Sequence, residues 1–485
     1  MKTTLLASMG TLCAVGLLNP CLAAAKEVAK SAGEKSLPQK PNVVIFLVDD
    51  MGAMDVSFMG STFYETPNID RMASEGMVFT NGYAACTVSS PTRAAMMTGK
   101  YPARLHLTDW IGGHNYAYAQ LSPPAWKKYL DPGETTLADL LKAQGYATWH
   151  VGKWHLGDGF QYDPQRRGFD INLGGSNYGS PRKGKGCNGY FAPYCLQFLP
   201  EGPEGEYLTE RLTAEAVRLI ETSDPGKPFF LNFCHYAVHQ PLMAHEADIE
   251  RWKTRVDERN GQKNPVYAAM VEDTDKSLGA VLDALRRKGA LENTLVIFTS
   301  DNGGLLPVTD NTPFRAGKGS AYEGGVRVPL AIMWKGGGVK AGSQCDYPVI
   351  TMDVAATVME AAGAKPPTSI DGVSMIPLLH GKTLPERALY WHYPHYHPGG
   401  ARTYAAIRQG DWKLIEKFED NSIELYNLRT DVGERNDLSG SESVKAAEML
   451  AKLKKWQREV GAQMPLPNPD YDPKKATKVT RGDEQ

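Results

Sequence analysis

At 485 residues the chain exceeds one ordinary hydrophobic core and falls short of three, which implies one large domain carrying a smaller one. Its 53 Lys and Arg stand against 55 Asp and Glu, a formal net charge of −2, and no basic block or aromatic–basic repeat runs through it, so nucleic acid is not an expected partner. Seven sparse, irregularly spaced cysteines exclude a disulfide scaffold and offer no zinc spacing.

The chain opens on Met1 and Lys2, an apolar stretch over 5–18, and Ala23-Ala24-Ala25 ahead of Lys26. That order predicts an export signal over 1–25, cleaved after Ala25, and a periplasmic or extracellular destination. The apolar run is shorter than the roughly 20 residues a membrane span needs, and Asn19-Pro20 interrupts it, so no stable span is expected. Cys21 raises lipid anchoring as an alternative, but Asn19-Pro20 does not suit a lipidation signal.

From residue 42 the pattern alternates. Apolar runs of strand length over 42–48, 146–151, 228–234 and 294–299 are of the kind that lies inside a parallel sheet. Helix-period stretches over 134–144, 209–222 and 267–288 separate them, the first and last ending at Gly145 and Gly289. This predicts an α/β catalytic domain over 40–384 with helices on both faces of the sheet. Each strand run ends in a polar cluster: Asp49-Asp50, Gly152 to His155, His235 to His239, and Ser300 to Gly303. Ligands of open α/β sheets bind at the carboxyl ends of strands, so these clusters are expected to converge. Cys187 and Cys195 flank a Gly/Pro/aromatic loop and either bridge or remain free thiols. Over 385–466 short alternating segments at 405–408, 412–415 and 423–426 predict a small antiparallel sheet with a helix over 443–460, and 467–485 reads as a loosely held tail.

The segment Cys86-Thr-Val-Ser89-Ser-Pro91-Thr-Arg93-Ala-Ala-Met-Met-Thr98-Gly99-Lys100 resembles the signature of the formylglycine-dependent sulfatases, with Ser89 at the modified position and Cys86 three residues too early. Ser-x-Pro-x-Arg alone also reads as a helix start capped by Ser89, and the two readings agree, because a helix N-terminus favours developing negative charge. The resemblance covers nearly the whole chain, from Pro41-Asn42 to Leu425-Tyr426-Asn427-Leu428. It implies the alkaline-phosphatase-like α/β fold with a large mixed, mostly parallel sheet and a smaller C-terminal antiparallel subdomain. It also implies a calcium ion on Asp49, Asp50, Asp301, Asn302 and the formylglycine derived from Ser89. Carboxylates and an amide oxygen suit such a hard cation.

The same resemblance matches Lys153 and His155 to residues that contact the formylglycine and the sulfate, His239 to a histidine after the third such strand, and Lys318 to a sulfate-binding lysine. His235 then reads as a residue of the layer behind. A sulfate monoester carries a fixed charge that repels nucleophiles, so Arg93, Lys100, Lys153, Lys318 and calcium are expected to hold it. One hydroxyl of the aldehyde hydrate attacks sulfur while His239, with Lys318, protonates the leaving alcohol; His155 then takes the second hydroxyl's proton and sulfate departs by carbon–oxygen cleavage. A serine at the modified position implies a bacterial source and a sulfatase-maturating enzyme acting on Ser89.

For the substrate, His106, Asp109 and Trp110, with His114 nearby, resemble the hydroxyl-binding loop of bacterial polysaccharide sulfatases. The stretch Trp391 to His397 is placed to close the opposite wall. The expectation is an exo-acting sulfatase on a sulfated carbohydrate, with a galactose-configured sugar as the first candidate. A broad arylsulfatase, a phosphoester hydrolase of the same superfamily and a non-catalytic sulfoglycan-binding protein are the alternatives.

Overall fold

The structure is a computed structural model that describes residues 40–478, 480 and 481, so the export signal and Cys21 lie outside it. Eight strands build the large sheet: β1 (Asn42–Val48), β2 (Met77–Phe79), β3 (Ala147–Gly152), β4 (Ile171–Leu173), β5 (Phe229–Cys234), β6 (Thr294–Ser300), β7 (Leu330–Met333) and β8 (Ser343–Cys345). Their order is β8-β2-β7-β6-β1-β5-β3-β4. The run from β6 to β4 is parallel, β7 is antiparallel to β6 and β2, and β8 is parallel to β2. The sheet is therefore mixed and mostly parallel. The central strands β1, β5, β6 and β7, buried almost throughout, read in sequence as largely apolar runs.

Period-2 alternation sorts β1 between two layers. Val44, Phe46 and Val48 join the core shared with α3 (Leu208–Glu221) and α4 (Pro265–Arg287). Leu47, facing the other way, meets Met96 and Met97 of α1 (Ser89–Thr98), which packs against α2 (Leu137–Ala143) and α5 (Thr351–Ala361). The helix expected over 134–144 starts later because Thr136 caps it, its side chain accepting from Asp139 N at 3.1 Å while the Asp139 carboxylate accepts from Thr136 N at 2.9 Å.

The second sheet is an antiparallel meander of β9 (Ala388–Tyr393), β10 (Tyr404–Gln409), β11 (Trp412–Lys417) and β12 (Ile423–Asn427), with α6 (Ser443–Glu459) packed on β10 and β11. It shares a core with Tyr83, Ala85 and Val88, and Trp391 Nε1 donates to Ala84 O at 2.8 Å. The C-terminal sheet thus braces the chain just ahead of Ser89. Where a loose tail is expected from 467, the structure pairs 466–467 with 121–122 and 480–481 with 114–115, and Asn468 Nδ2 donates to Ala117 O and Ala119 O.

Since β6, β1, β5 and β3 are neighbours and parallel, their carboxyl ends lie side by side along one edge. The four polar clusters leave the sheet there.

Candidate active site

Val88, extended at φ −142° and ψ 162°, is the cap of α1, and Ser89 is its first helical residue with no side-chain cap bond. The capping reading of Ser89 is corrected: its Oγ is used on the site instead, donating to Asp49 Oδ1 at 3.1 Å and accepting from Lys153 Nζ at 3.1 Å. The helix stops at Gly99, whose φ of +70° is the left-handed conformation a side chain resists. Thr98 turns its hydroxyl back onto Ala94 O at 2.8 Å, so the Thr-Gly pair of the signature shapes the end of the helix.

Asp49 and Asp50 follow β1, and Asp301 and Asn302 follow β6. Asp49 is fixed by its N–H on Ala237 O and its carbonyl on Val238 N, at 2.9 and 2.8 Å. Asp50 takes φ +62°, costing about 1–2 kcal/mol for a non-glycine residue, and its N–H donates to Asp301 Oδ1 at 3.2 Å. All three carboxylates are buried, with an oxygen from each within 4.8 Å of the others. Asn302 is buried too, and its Oδ1 has no hydrogen-bond partner. Oxygen-only donors and an unpartnered amide oxygen fit a hard dication such as calcium, and no thiol or imidazole belongs to the group.

Three cations face these carboxylates. Arg93 donates through Nε to Asp301 Oδ2 at 2.9 Å and through Nη1 to Lys153 O at 3.0 Å, and its Nη2 is ion-paired with the same Asp301 oxygen at 2.8 Å. Lys153 Nζ sits 2.6 Å from Asp49 Oδ2, and Lys318 Nζ 2.7 Å from Asp50 Oδ1. Burial and the Asp301 charge push the Asp49 carboxyl up to about 8. For Asp50, burial is outweighed by Lys318 and His239, and for Asp301 by Arg93, Lys153 and Lys318, so both are held below the usual range. Packing three carboxylates together strains their ionisation, and a dication relieves it.

Both expected histidines stand at this edge. His155 Nε2 lies 2.8 Å from Ile111 O, and Ile111 is held in turn by its N–H on Ser90 Oγ at 3.0 Å. A carbonyl only accepts, so Nε2 carries the proton and Nδ1, buried and without a partner, is the free lone pair. Burial and the Lys153 charge hold His155 well below its usual value, hence neutral. His239 gives its Nδ1 proton to Gln240 O at 2.6 Å and sets Nε2 3.6 Å from Asp50 Oδ2. Burial, against the pull of Asp50, lowers it to about 4. His235 is buried, with Nε2 2.8 Å from Ser277 Oγ, in the layer behind as expected.

Ser89, Lys153, His155, His239 and Lys318 line one cavity of about 990 Å3. A family model described as Sulfatase matches residues 41–364, and one described as N-sulphoglucosamine sulphohydrolase, C-terminal, matches 317–462. The chain belongs to the sulfatase family. It is 33% identical over 432 residues to N-acetylgalactosamine-6-sulfatase of Mus musculus, covering 83% of this chain and 77% of that one. Against a sulfatase of Formosa agariphila it is 31% identical over 513 residues, covering 88% and 91%. The crystal structure of Ps i-CgsB superposes with a TM-score of 0.75 at 30% identity over 89% of this chain and 95% of that one, and that protein is also solved with k-i-k-neocarrahexaose.

This sulfatase is a sulfuric ester hydrolase, and it keeps part of its expected site elsewhere. Lys100 is not in the cavity lining; its Nζ pairs with Glu134 Oε2 at 2.6 Å. His106 has its Nε2 3.0 Å from Gly461 O, and Asp109 is buried, accepting from Tyr393 Oη at 2.8 Å and Trp110 N at 2.9 Å. The structure thus places these three outside the cavity lining that holds the rest of the expected site. Trp110 and His114 do line the cavity, joined by Trp110 Nε1 donating to His114 Nδ1 at 3.1 Å. Of the 391–397 stretch, His397 reaches the cavity, whereas Trp391 packs under Ser89's approach and His395 bonds Thr108. Missed in the sequence was Gly179: a Cβ there falls 2.5 Å from the His155 ring, so only glycine lets that imidazole sit where it does. No periodicity marks that loop. Cys187 and Cys195 are bonded to each other.

Proposed function

We propose that this sulfatase is an exported, calcium-dependent carbohydrate sulfatase of bacterial origin, exo-acting on a sulfated glycan with a galactose-configured sugar as the first candidate, and active once a maturating enzyme has oxidised Ser89 to formylglycine. The observation that carries the reading is Ser89 Oγ at the first residue of a buried helix, 3.1 Å from both Asp49 and Lys153. Relatives named for N-acetylgalactosamine 6-sulfate chemistry and a neighbour solved with a neocarrahexaose support a sugar as the substrate. The aromatic and histidine wall of Trp110, His114 and His397 supports it further, since such a face suits a sugar ring and its hydroxyls.

When present, formylglycine supplies a hydrated aldehyde that can attack sulfur and later shed sulfate, and calcium on Asp49, Asp50, Asp301 and Asn302 supplies Lewis acidity. The chain's own side chains do the rest. Lys153 and Lys318, at one carboxylate each, bind the sulfate oxygens and offset the charge that gathers on them during transfer. Arg93 fixes both Asp301 and the carbonyl of Lys153, so that the cation and the metal carboxylates move as one piece. Lys318 Nζ, held protonated by Asp50, gives the leaving alcohol its proton, and His239 Nε2, an open lone pair 3.6 Å from the same carboxylate, orients that alcohol. His155, neutral with Nδ1 open, takes the proton whose loss releases sulfate.

The test is the protein produced beside a maturating enzyme, with peptide mass spectrometry across Ser89 and turnover of a panel of sulfated sugars, an aryl sulfate and a phosphate ester. Conversion of Ser89 with turnover of sulfated sugars is expected. An unmodified Ser89, or fast aryl sulfate cleavage with every sugar refused, overturns the reading.

A further inference from the structure

Outward from the Ser89 floor, the cavity is lined by the start of a hairpin. Its strands, Lys183–Gly184 and Cys187–Asn188, pair antiparallel, and the Cys187–Cys195 bond, 5.6 Å between Cα atoms, ties its far strand to the following loop. Arg182 O accepts from Gly189 N at 2.7 Å and closes the base. The Arg182 side chain is also fixed: Nη1 donates to Tyr178 Oη at 2.9 Å, and the guanidinium lies over the same ring, 4.9 Å from its centre. Among the described residues its remaining donors meet no acceptor, and they lie in the planar fork that suits a sulfate or carboxylate.

Arg182 and Lys183 line the cavity, Lys128 lines it too, and Lys185 occupies the hairpin turn at φ +54°. Among the described residues none of these four cations lies within ion-pair distance of a carboxylate. Among the described residues Asp158 is the single carboxylate of the cavity lining. Clustered like charges repel, and an anion seated among them relieves the repulsion. The sulfate undergoing hydrolysis is met by Lys153 and Lys318 on the floor, so it does not account for the hairpin charges. At about 990 Å3 the cavity stands at the upper end of the roughly 300–1,000 Å3 of small-ligand sites, a size that admits a second ring.

We propose that this hairpin is a subsite for a second anionic group, a sulfate or a carboxylate, on the sugar next to the one being desulfated. The substrate class is then a multiply charged oligosaccharide. This rests on the carbohydrate reading above and narrows it.

The experiment compares the matured wild type with Arg182→Ala/Lys183→Ala/Lys185→Ala on four substrates: 4-nitrophenyl sulfate, a monosulfated monosaccharide, a disaccharide with a second sulfate on the neighbouring ring, and one with a uronate there. The wild type is expected to favour a doubly charged disaccharide by about tenfold or more in kcat/KM, carried by KM, and the variant to lose about tenfold on it. The two single-charge substrates should stay within about twofold, and raising salt from about 0.05 to 0.2 M should erode the wild-type preference. Lys183→Arg/Lys185→Arg, which keeps the charge, should keep the preference. Loss on the disulfated sugar alone assigns the subsite to sulfate, and loss on both to either anion. An equal fall on all four substrates, or a wild type indifferent to the second charge, overturns the subsite and leaves the carbohydrate reading standing. A wild type that cleaves the aryl sulfate and refuses every sugar overturns both.

Discussion

Ile111 O lies 2.8 Å from His155 Nε2 and Gly179 lies against the same ring, so one hydrogen bond and one missing side chain together decide which nitrogen is the base and where it points. His155→Ala should therefore lower kcat by about 10²–10⁴-fold, the usual worth of a positioned acid or base, with near-UV circular dichroism unchanged. Gly179→Ala should lower kcat by about tenfold through displacement of the ring, with KM for a small aryl sulfate nearly constant. Lys100 stands as the contrast. Its signature position implies sulfate binding, yet its ammonium is spent on Glu134, 34 residues away. Lys100→Met is expected to leave KM within about twofold and to cost about 0–1 kcal/mol of stability, the range of a partly exposed pair; a tenfold rise in KM would put Lys100 back in the site. The sequence made Ser89, Arg93 and the strand-end carboxylates legible because each follows a motif or a strand whose direction fixes where the next residues go. It did not make Lys100, His106 or Asp109 legible, because their partners Glu134, Gly461 and Tyr393 come from 34, 355 and 284 residues away, and local pattern carries no record of them.

Two elements meet at Ser89: the helix that begins there and the C-terminal sheet that braces its approach. Thr87 Oγ1 lies 2.9 Å from Tyr404 Oη on β10, and Tyr393 at the end of β9 donates to Asp109, so the meander holds both the segment before the helix and the loop after it. Apolar runs predicted β1 to the residue, since a strand buried on both faces leaves no polar alternation to blur its ends. The meander was visible as alternation, while its task of bracing Ser89 was not, because long-range packing has no period. Asp109 lets that junction be tested. Burial pushes its carboxyl up to about 7, against the hydrogen bonds from Tyr393 and Trp110 and the charge of Lys128. The folded value lies above the unfolded one of about 3.9, so its stabilising contribution is complete below about pH 4 and is lost as pH rises through 7. Thermal midpoints of wild type and Asp109→Asn should therefore converge or cross between pH 5 and pH 8, the wild type losing ground as pH rises. A pH-independent difference would show that Asp109 is already ionised in the fold at pH 5.

Across the whole molecule the sheet order places β6, β1, β5 and β3 next to one another, and that single fact gathers residues 49–50, 153–155, 235–239 and 301–302 at one edge. The polar strand ends forecast this convergence; the order of the strands, set by crossovers hidden from local pattern, supplied it. A consequence is that the proposed metal would tie together segments about 250 residues apart, since Asp50 and Asp301 already meet across that separation. Binding to the folded state alone stabilises it by about 2.7 kcal/mol at a ligand concentration one hundred times Kd. Calcium added to chelator-treated protein should accordingly raise its thermal midpoint, whatever the oxidation state of residue 89, and so report on the seat independently of turnover. Asn302→Ala removes the unpartnered amide oxygen while leaving Arg93, Lys153 and Lys318 with their carboxylates, so this variant should fold and show a smaller calcium shift. A full shift in Asn302→Ala would move the metal to other oxygens. No shift in the wild type would mean that the three ammonium and guanidinium groups neutralise the carboxylates by themselves, and calcium would lose its place in the mechanism.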